Sequence, residues 1–388
     1  MSKKSDLILI TGGHATPAFA VITELKRRGY SNFVWVGHKY NQQGNKEVSP
    51  EYRFVEELGI KFINLKTGKI NRKWTLQNFV PSIVSLLMIA YGFIQAKLIL
   101  LRNRPRVIVS FGGYLAVPIV FMGWVLRIKI ITHEQTIVTG LANKFISKFA
   151  NKVCISWESS KQYFPPKKTV LTGNPIRREV FKLESDELTR DLDSKKPTLY
   201  ITGGNQGAHE MNKRIFEFLP NLLQECNIIH QTGNSTVTND YQKALDMKKE
   251  LKGDISIRYV PVDYVSSEQI GSVFNKADVV FSRSGANTVS ELLALGKLSI
   301  LMPIPWTSGD EQTKNARIIE ETGLGFIIIQ KDTLTSKQIY QTILLALNQI
   351  KTGKGFNGRD IDECKEMAKE KIILDAPQKV ADVVESLF

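Results

Sequence analysis

Short runs of apolar, β-branched residues recur along the chain, and each breaks at a glycine-rich turn before a stretch with apolar residues at helical spacing. Leu7-Ile-Leu-Ile-Thr-Gly-Gly13 and Leu199-Tyr-Ile-Thr-Gly-Gly204 share the tetrapeptide Ile-Thr-Gly-Gly; helical patterns follow over 18–28 and 210–225. A third case is Val107-Ile-Val-Ser110, which runs into Phe111-Gly-Gly-Tyr114. Strand, glycine turn and helix open a nucleotide-binding α/β unit, and finding the opening afresh in the second half predicts two such domains. Further strands are predicted at 32–36, 128–132, 152–156, 227–231, 278–282 and 298–303, alternating with helical patterns. That alternation argues for parallel sheets covered by helices on both faces. Paired prolines and basic residues between Tyr163 and Arg178 predict the hinge, and the last helical pattern, 376–387, can pack on either domain.

The stretch from Phe79 to Leu101 departs from this rhythm. It is apolar apart from small interruptions such as Pro81, Ser82, Ser85, Gly92, Gln95 and Lys97. A membrane span needs about 20 predominantly apolar residues, and with Pro81 near its start this stretch is marginal for one. Buried core helices and a surface helix dipping into one leaflet fit it equally well. Lys66, Lys69, Arg72 and Lys73 before it, and Arg102, Arg104 and Arg106 after it, suit anionic headgroups.

Charge sharpens that picture. The chain carries 52 Lys+Arg against 38 Asp+Glu, a net +14, but residues 1–176 hold 25 and 8 of these while the remainder hold 27 and 30. A basic first half with no recognition motif or aromatic stacking platform argues against nucleic acid and for an anionic membrane surface. The 388 residues, 43% hydrophobic and 23% charged, exclude global disorder and suit two or three domains at about 150 residues each. Cys154, Cys226 and Cys364 are too widely spaced for a disulfide framework or a zinc site, so a reducing compartment is expected. The apolar run 7–10 is too short for the core of a signal peptide, and export is not expected.

Three turns carry the candidate chemistry. Thr11-Gly-Gly-His14-Ala-Thr-Pro17 is not Gly-x-Gly-x-x-Gly and has no acidic residue about 20 positions on, which disfavours a dinucleotide site. Its glycines still let backbone N–H groups approach a phosphate, and the next helix start adds its dipole. His14 is then either a solvated loop residue or a proton-transfer group. Gly203-Gly-Asn-Gln-Gly207-Ala is the matching turn of the second half, although a tight connection alone would explain its glycines. Ser282-Arg-Ser-Gly-Ala286-Asn-Thr-Val-Ser-Glu291 leaves room for a phosphate at a helix start, with Glu291 suited to a sugar diol or to dipole compensation. Gln312 and Asn315, about one turn apart, can grasp neighbouring hydroxyls or simply open a polar helix. Asp191-Leu-Asp193 and Asp360-Ile-Asp362 match a metal-binding pattern but lie in charge-rich stretches, so no metal site is expected.

Taken in order, Thr-Gly-Gly-His-x-x-Pro (11–17), Ser-Phe-Gly-Gly-Tyr (110–114), His-Glu-Gln (133–135), Gly-Leu-Ala-Asn (140–143) and Gly-Asn-Pro-Ile-Arg (173–177) form one half of a longer series. Gly-Gly-x-Gln-Gly-Ala (203–208), Arg-Ser-Gly-Ala-x-Thr-Val-Ser-Glu (283–291) and Gln-x-x-Asn-Ala (312–316) complete it. The series resembles the MurG family of peptidoglycan N-acetylglucosaminyltransferases over nearly the whole chain. The resemblance implies an α/β fold of GT-B type: two Rossmann-like, doubly wound domains facing across a cleft. The acceptor and membrane side would be 1–176, with 372–388 packing back on it, and the donor side 177–371. It also implies inverting, cofactor-free and metal-independent transfer of GlcNAc from UDP-GlcNAc to the MurNAc C4 hydroxyl of lipid I, giving lipid II at the cytoplasmic face of the membrane.

Residue by residue, the resemblance implies His14 and Glu134 as catalytic. Arg177, Asn205, Ala286, Asn287, Thr288, Val289, Ser290, Glu291 and Gln312 would bind the donor, Glu291 at the ribose and Gln312 at the sugar. Thr11, Gly12, Gly13, Thr136 and the backbone near Val265 would close on it, and Tyr114, His133 and Asn143 would lie on the acceptor side. Thr136 stands where the family usually has Asn, Asn205 where it has Ser, and Glu311 where it has Gln or His. Implied partners are UDP-GlcNAc, lipid I, an anionic membrane surface and a cell-wall synthesis complex. Competing readings are another UDP-sugar enzyme of the same fold, either a glycolipid glycosyltransferase or a UDP-GlcNAc epimerase, and a non-catalytic nucleotide-sugar-binding scaffold.

Overall fold

In the computed structural model, which describes residues 5–40, 49–68, 79–204 and 207–388, the chain divides into two units: Met1–Ile176 with Leu374–Phe388, and Arg177–Ile373. The strands of unit 1 are β1 (Ile8–Thr11), β2 (Phe33–Gly37), β3 (Lys61–Asn64), β4 (Val107–Ser110), β5 (Lys129–Glu134), β6 (Lys152–Ile155) and β7 (Thr169–Leu171). They form one parallel sheet in the order β3-β2-β1-β4-β5-β6-β7. Helices α1 (Ala15–Arg27), α2 (Pro50–Glu57), α3 (Phe79–Asn103), α4 (Ala116–Val125) and α5 (Leu141–Phe149) connect them.

Because side chains alternate along a strand, Ile8 and Ile10 point to one face while Leu9 points to the other. The first face packs on Ala18, Val21, Ile22 and Leu25 of α1; the second meets Ala96 and Leu100 of α3 and Ile119 of α4. Helix α3 is thus anchored through one flank only, since Ile83, Leu87, Tyr91, Ile94, Leu98 and Leu101 are exposed.

Unit 2 repeats the plan with β8 (Thr198–Thr202), β9 (Asn227–Gln231), β10 (Tyr259–Val262), β11 (Val279–Ser282), β12 (Leu298–Leu301) and β13 (Gly325–Ile327), parallel in the order β10-β9-β8-β11-β12-β13. Its helices are α6 (His209–Phe216), α7 (Leu219–Glu225), α8 (Asp240–Glu250), α9 (Asp254–Ile257), α10 (Ile270–Lys276), α11 (Ala286–Leu295), α12 (Glu311–Thr322), α13 (Ser336–Thr352) and α14 (Ile361–Glu370). The single helix expected over 210–225 is two, because Pro220 starts α7 as a separate helix. Strands β3, β7, β10 and β13, absent from the sequence expectations, are the outer strands of the two sheets.

The last helix, α15 (Ala376–Glu385), packs on unit 1. Val380, Ala381 and Val384 join the core beside α1, and Arg28 clamps the helix from outside. Its guanidinium donates to Asp382 at 2.6 Å, to Glu385 at 2.7 Å, to the Gln378 carbonyl at 3.0 Å and to Glu24 at 2.9 Å. Hydrogen bonds from Arg27 outweigh burial, and with the one from Arg28 hold the buried Glu24 carboxyl at a pKa of about 2. The Arg28→Ala variant is expected to lose about 2 kcal/mol in urea unfolding, on the scale of hydrogen bonds to charged groups. Stability contributed by Glu24 is complete above its unfolded pKa of 4.5 and falls as pH drops toward 2. In Arg28→Ala the slope over that acid window should be shallower.

Candidate functional site

In unit 1 the chain leaves β1 toward β2 on one side and returns as β4 on the other, so the carboxyl ends of β1 and β4 flank the switch point where ligands bind in open α/β sheets. Two glycine turns meet there. Phe111 N donates to the Thr11 carbonyl at 2.8 Å, and Gly13 N donates to the Gly112 carbonyl at 3.1 Å. At Gly12, with φ +142°, a Cβ would stand 2.8 Å from the Phe111 backbone, so only glycine allows the approach. His14 follows at the N-cap of α1; its side chain makes no capping bond and the residue is exposed. Tyr114, after the β4 turn, is 40% exposed. Thr11 is buried, and its hydroxyl has no hydrogen-bond partner among the described residues.

Beneath these turns the other expected residues of unit 1 form a buried polar layer. Glu134 Oε1 accepts from Thr136 N at 3.1 Å and lies 2.9 Å from the Thr136 hydroxyl; Oε2 accepts from Asn143 Nδ2 at 3.1 Å and from Gly140 N at 3.4 Å. Burial raises the Glu134 pKa, against four hydrogen bonds that lower it. With both oxygens occupied, Glu134, expected as catalytic, ties down the 134–140 loop. Asn143 completes the layer: Nδ2 also donates to the His133 carbonyl at 3.1 Å, and Oδ1 accepts from Thr132 at 3.1 Å. Its amide lies under Gly112, where a Cβ would come within 2.7 Å of Nδ2.

His133 is wholly buried, with Nε2 2.9 Å from the Gly173 carbonyl. Burial pushes its pKa down to about 4, so the ring is neutral at pH 7 and Nε2 carries the donated proton. Thr136, His133 and Asn143 therefore shape the floor of the turns with side chains turned inward.

Unit 2 has its own switch point between β8 and β11. Gln231 is the hub on the β8 side: Oε1 accepts from the Tyr200 hydroxyl at 2.6 Å and from Thr202 at 3.1 Å, while Nε2 donates to the Gly204 carbonyl at 3.3 Å. Asn205, expected to touch the donor from this turn, lies outside the described residues. On the β11 side α11 starts at Gly285 with extended backbone and no side-chain cap, leaving a helix N-terminus suited to an anion. Beside it the buried Ser284 hydroxyl and Asn315 Oδ1 have no hydrogen-bond partner among the described residues. Such orphaned polar atoms are rare in a folded interior unless something else completes them.

The other expected donor residues divide by burial. Asn287 and Thr288 are half-buried, whereas Ala286, Val289 and Ser290 face inward, Ser290 Oγ donating to the Ala286 carbonyl at 2.9 Å. Glu291 Oε1 pairs with Arg177 at 3.0 Å. Burial pulls the Arg177 guanidinium down, and the Glu291 carboxylate, with smaller contributions from Tyr264 and Glu179, more than offsets it. Gln312 Oε1 accepts from Ile304 N at 3.0 Å, fixing the loop after β12, and Val265 is buried just beyond β10.

Sequence reasoning passed over Gln231 and Arg283. Arg283 donates to the Met302 carbonyl at 2.9 Å and to Gln330 at 2.7 Å, and burial brings its pKa down to about 10. Its place directly before Ser-Gly-Ala was the available signal for a cation under the turn. Asp193 pairs with Arg258 at 3.1 Å and Asp360 caps α14, so one aspartate of each Asp-x-Asp pair has a structural job.

Two units, each built on a parallel sheet with a glycine turn at its switch point and one with an anion-ready helix start, have an architecture suited to a nucleotide-sugar enzyme. Residues 11–155 match the model of the glycosyltransferase family 28 N-terminal domain, and residues 198–370 that of the family 28 C-terminal domain. A relative from Clostridium novyi (strain NT), a UDP-N-acetylglucosamine--N-acetylmuramyl-(pentapeptide) pyrophosphoryl-undecaprenol N-acetylglucosamine transferase, is 34% identical over 87% of this chain and 89% of its own. A transferase of the same name from Thermoanaerobacter sp. (strain X514) is 31% identical over 97% of both chains. The chain therefore belongs to glycosyltransferase family 28 and, within it, to the family of these N-acetylglucosamine transferases. Among solved structures, Acinetobacter baumannii MurG has the same fold, with TM-score 0.63 and 23% identity over 98% of this chain and 99% of that one. A Neisseria meningitidis UDP-GlcNAc 2-epimerase bound to UDP-GlcNAc shares it too, with TM-score 0.61 and 11% identity over 98% and 99%.

The division between holding and facing residues predicts different costs. Glu134→Ala should lower unfolding stability by about 2 kcal/mol, because it strands buried donors on Asn143 and Thr136. His14→Ala, at an exposed and uncapped position, should stay within about 0.5 kcal/mol of the parent. Chemical denaturation of both variants checks the contrast.

Proposed function

We propose that the chain moves N-acetylglucosamine from UDP-N-acetylglucosamine to the C4 hydroxyl of the N-acetylmuramyl group of lipid I, forming lipid II. One observation carries the reading: kinship with the transferases above runs through both units and includes the glycine turns of each. Unit 2 takes the donor, its diphosphate at the start of α11 and its ribose at Glu291, which Arg177 holds in place. Gln312 and Asn205 serve the donor as the resemblance assigns them. Unit 1 takes the acceptor beside His14 and Tyr114.

Transfer is then a single inverting displacement. The acceptor oxygen bonds to C1 of the sugar, the C1–O bond to the diphosphate breaks, and the hydroxyl proton passes to His14. UDP departs from a helix start whose N–H groups offset its charge, so no metal is required. In a radiolabelled assay with UDP-GlcNAc and a short-chain lipid I analogue, turnover should persist in excess chelator. His14→Ala should lower kcat about 100-fold or more, and Glu291→Ala should raise the donor KM about 10-fold, the scale of one charged hydrogen bond. Absence of transfer by the parent chain, or full activity of both variants, would overturn the assignments.

The same reading rests unit 1 on the cytoplasmic leaflet. Ile83, Leu87, Tyr91, Ile94, Leu98 and Leu101 repeat at intervals of three and four, a single exposed stripe along α3 in which Leu87 is 67% exposed. Trp124 of α4 and Phe145 of α5 are exposed as well, and Arg102, Arg104, Arg127, Lys144 and Lys148 stand exposed around them. Ser82–Asn103 is long and apolar enough to cross a bilayer, but its buried flank packs into unit 1, which supports a helix lying in the interface. Flotation with anionic liposomes should carry the chain upward, and the double variant Leu87→Glu, Ile94→Glu should stay behind. High salt should loosen attachment without full release; complete release at modest salt would refute the apolar contribution.

A further inference from the structure

A second group of titratable side chains gathers where β2 leaves the sheet of unit 1. Ser49 staples that exit: its N–H donates to the Lys39 carbonyl at 2.8 Å and its hydroxyl to the His38 carbonyl at 2.8 Å. The same hydroxyl accepts from Tyr52 N at 3.2 Å, capping α2. The cap fixes Glu51 in the first turn of α2, where Oε1 accepts from the indole Nε1 of Trp35, a fully buried residue of β2. Gly37 makes room for this carboxyl, since a Cβ there would collide with it.

Tyr114 comes to the same corner from the β4 turn. Its ring centroid lies 6.1 Å from that of His38. Its phenol pKa is raised by burial and, after that, by the charge of Glu51. His38 Nε2 is buried and has no hydrogen-bond partner among the described residues. Neither Glu51 nor His38 has a part in the chemistry above, yet both stand near Tyr114 of the β4 turn.

We propose that Glu51, His38 and Tyr114 form a polar subsite of unit 1 that grips an uncharged hydrogen-bonding group of the acceptor sugar, an amide or a hydroxyl, with Glu51 as the specificity-determining residue. The inference rests on unit 1 binding the acceptor. Chemistry selects an uncharged partner because the corner offers donors and acceptors with little net charge. Burial lowers the His38 pKa. It pushes Glu51 up to about 8, against the indole hydrogen bond and the helix-start dipole, which both favour the ionised form. Among the described residues nearby, Lys39 lies over the Tyr52 ring at 4.6 Å, and the Tyr52 hydroxyl donates to Glu56 at 2.6 Å. Below about pH 8 the Glu51 carboxyl keeps its proton and can donate to the ligand; above it the donor is lost and an unpaired charge appears.

The test is acceptor affinity across pH, measured on the full chain by binding of the short-chain lipid I analogue, with binding of UDP-GlcNAc as the control. Parent affinity for the analogue should weaken at least about fivefold from pH 7 to pH 9, while donor affinity stays flat. Glu51→Gln keeps a neutral donor and should bind at pH 7 as the parent does, without weakening at pH 9. Glu51→Ala should bind weakly at both. Tryptophan emission should show a transition near pH 8 in the parent that Glu51→Gln lacks, reporting Glu51 ionisation and the integrity of the variant together. Analogue binding with the same pH profile in the parent and in Glu51→Gln, or no analogue binding at all, would overturn the subsite. Retained Glu51-dependent binding in a chain that transfers no sugar would count against the proposed activity and leave the subsite standing.

Discussion

Where the turns after β1 and β4 cross, backbone lies on backbone and no side chain fits between. Gly12 has its missing Cβ aimed at Phe111, Gly13 donates to the Gly112 carbonyl, and Asn143 fills the space under Gly112. That contact fixes where His14 and Tyr114 emerge, because each follows directly on a turn whose path has no slack. The groups proposed to meet a substrate are thus mounted on parts of the chain held by the sheet itself, the arrangement that limits reorganisation during reaction. Unit 2 reaches the same end by side chains: Gln231 braces the β8 turn, while Arg283 and Asn315 brace the β11 turn.

Below the turns of unit 1, polarity is used for shape. Glu134, Thr136, Asn143 and His133 Nε2 bond one another or nearby backbone groups in a buried layer, where His133 Nδ1 alone of their ring and amide atoms is left without a partner among the described residues, and a network of this kind is rigid only while its bonds hold. Family resemblance places these residues near the substrate and is silent about which way they face. A motif identifies residue types at a spacing; burial decides whether a side chain touches a ligand or holds the group that does.

The central strands were legible because both faces of a parallel sheet are covered, and their sequences read as unbroken apolar runs. The outer strands were not. In β3 only partly covered residues such as Phe62 and Ile63 carry the apolar signal, β7 has three half-buried residues, β10 contains Pro261 and β13 opens at Gly325. The stretch at 79–101 could be read as core or as interface, and it divides lengthwise into a buried and an exposed flank, with Ala96 and Leu100 inside and Leu87 and Ile94 outside. Glu51 carried no sequence signal at all, since its setting depends on Trp35 and Gly37 of a neighbouring element.

The central claim is that each unit holds one substrate at its own glycine-lined switch point. Amide hydrogen exchange of the full chain, with saturating UDP-GlcNAc and then with the lipid I analogue, addresses it directly. The account predicts slowed exchange at the start of α11 and in the β8 turn with the donor, and around 12–14 and 111–114 with the acceptor. Donor protection confined to unit 1, or none at saturation in unit 2, would contradict it.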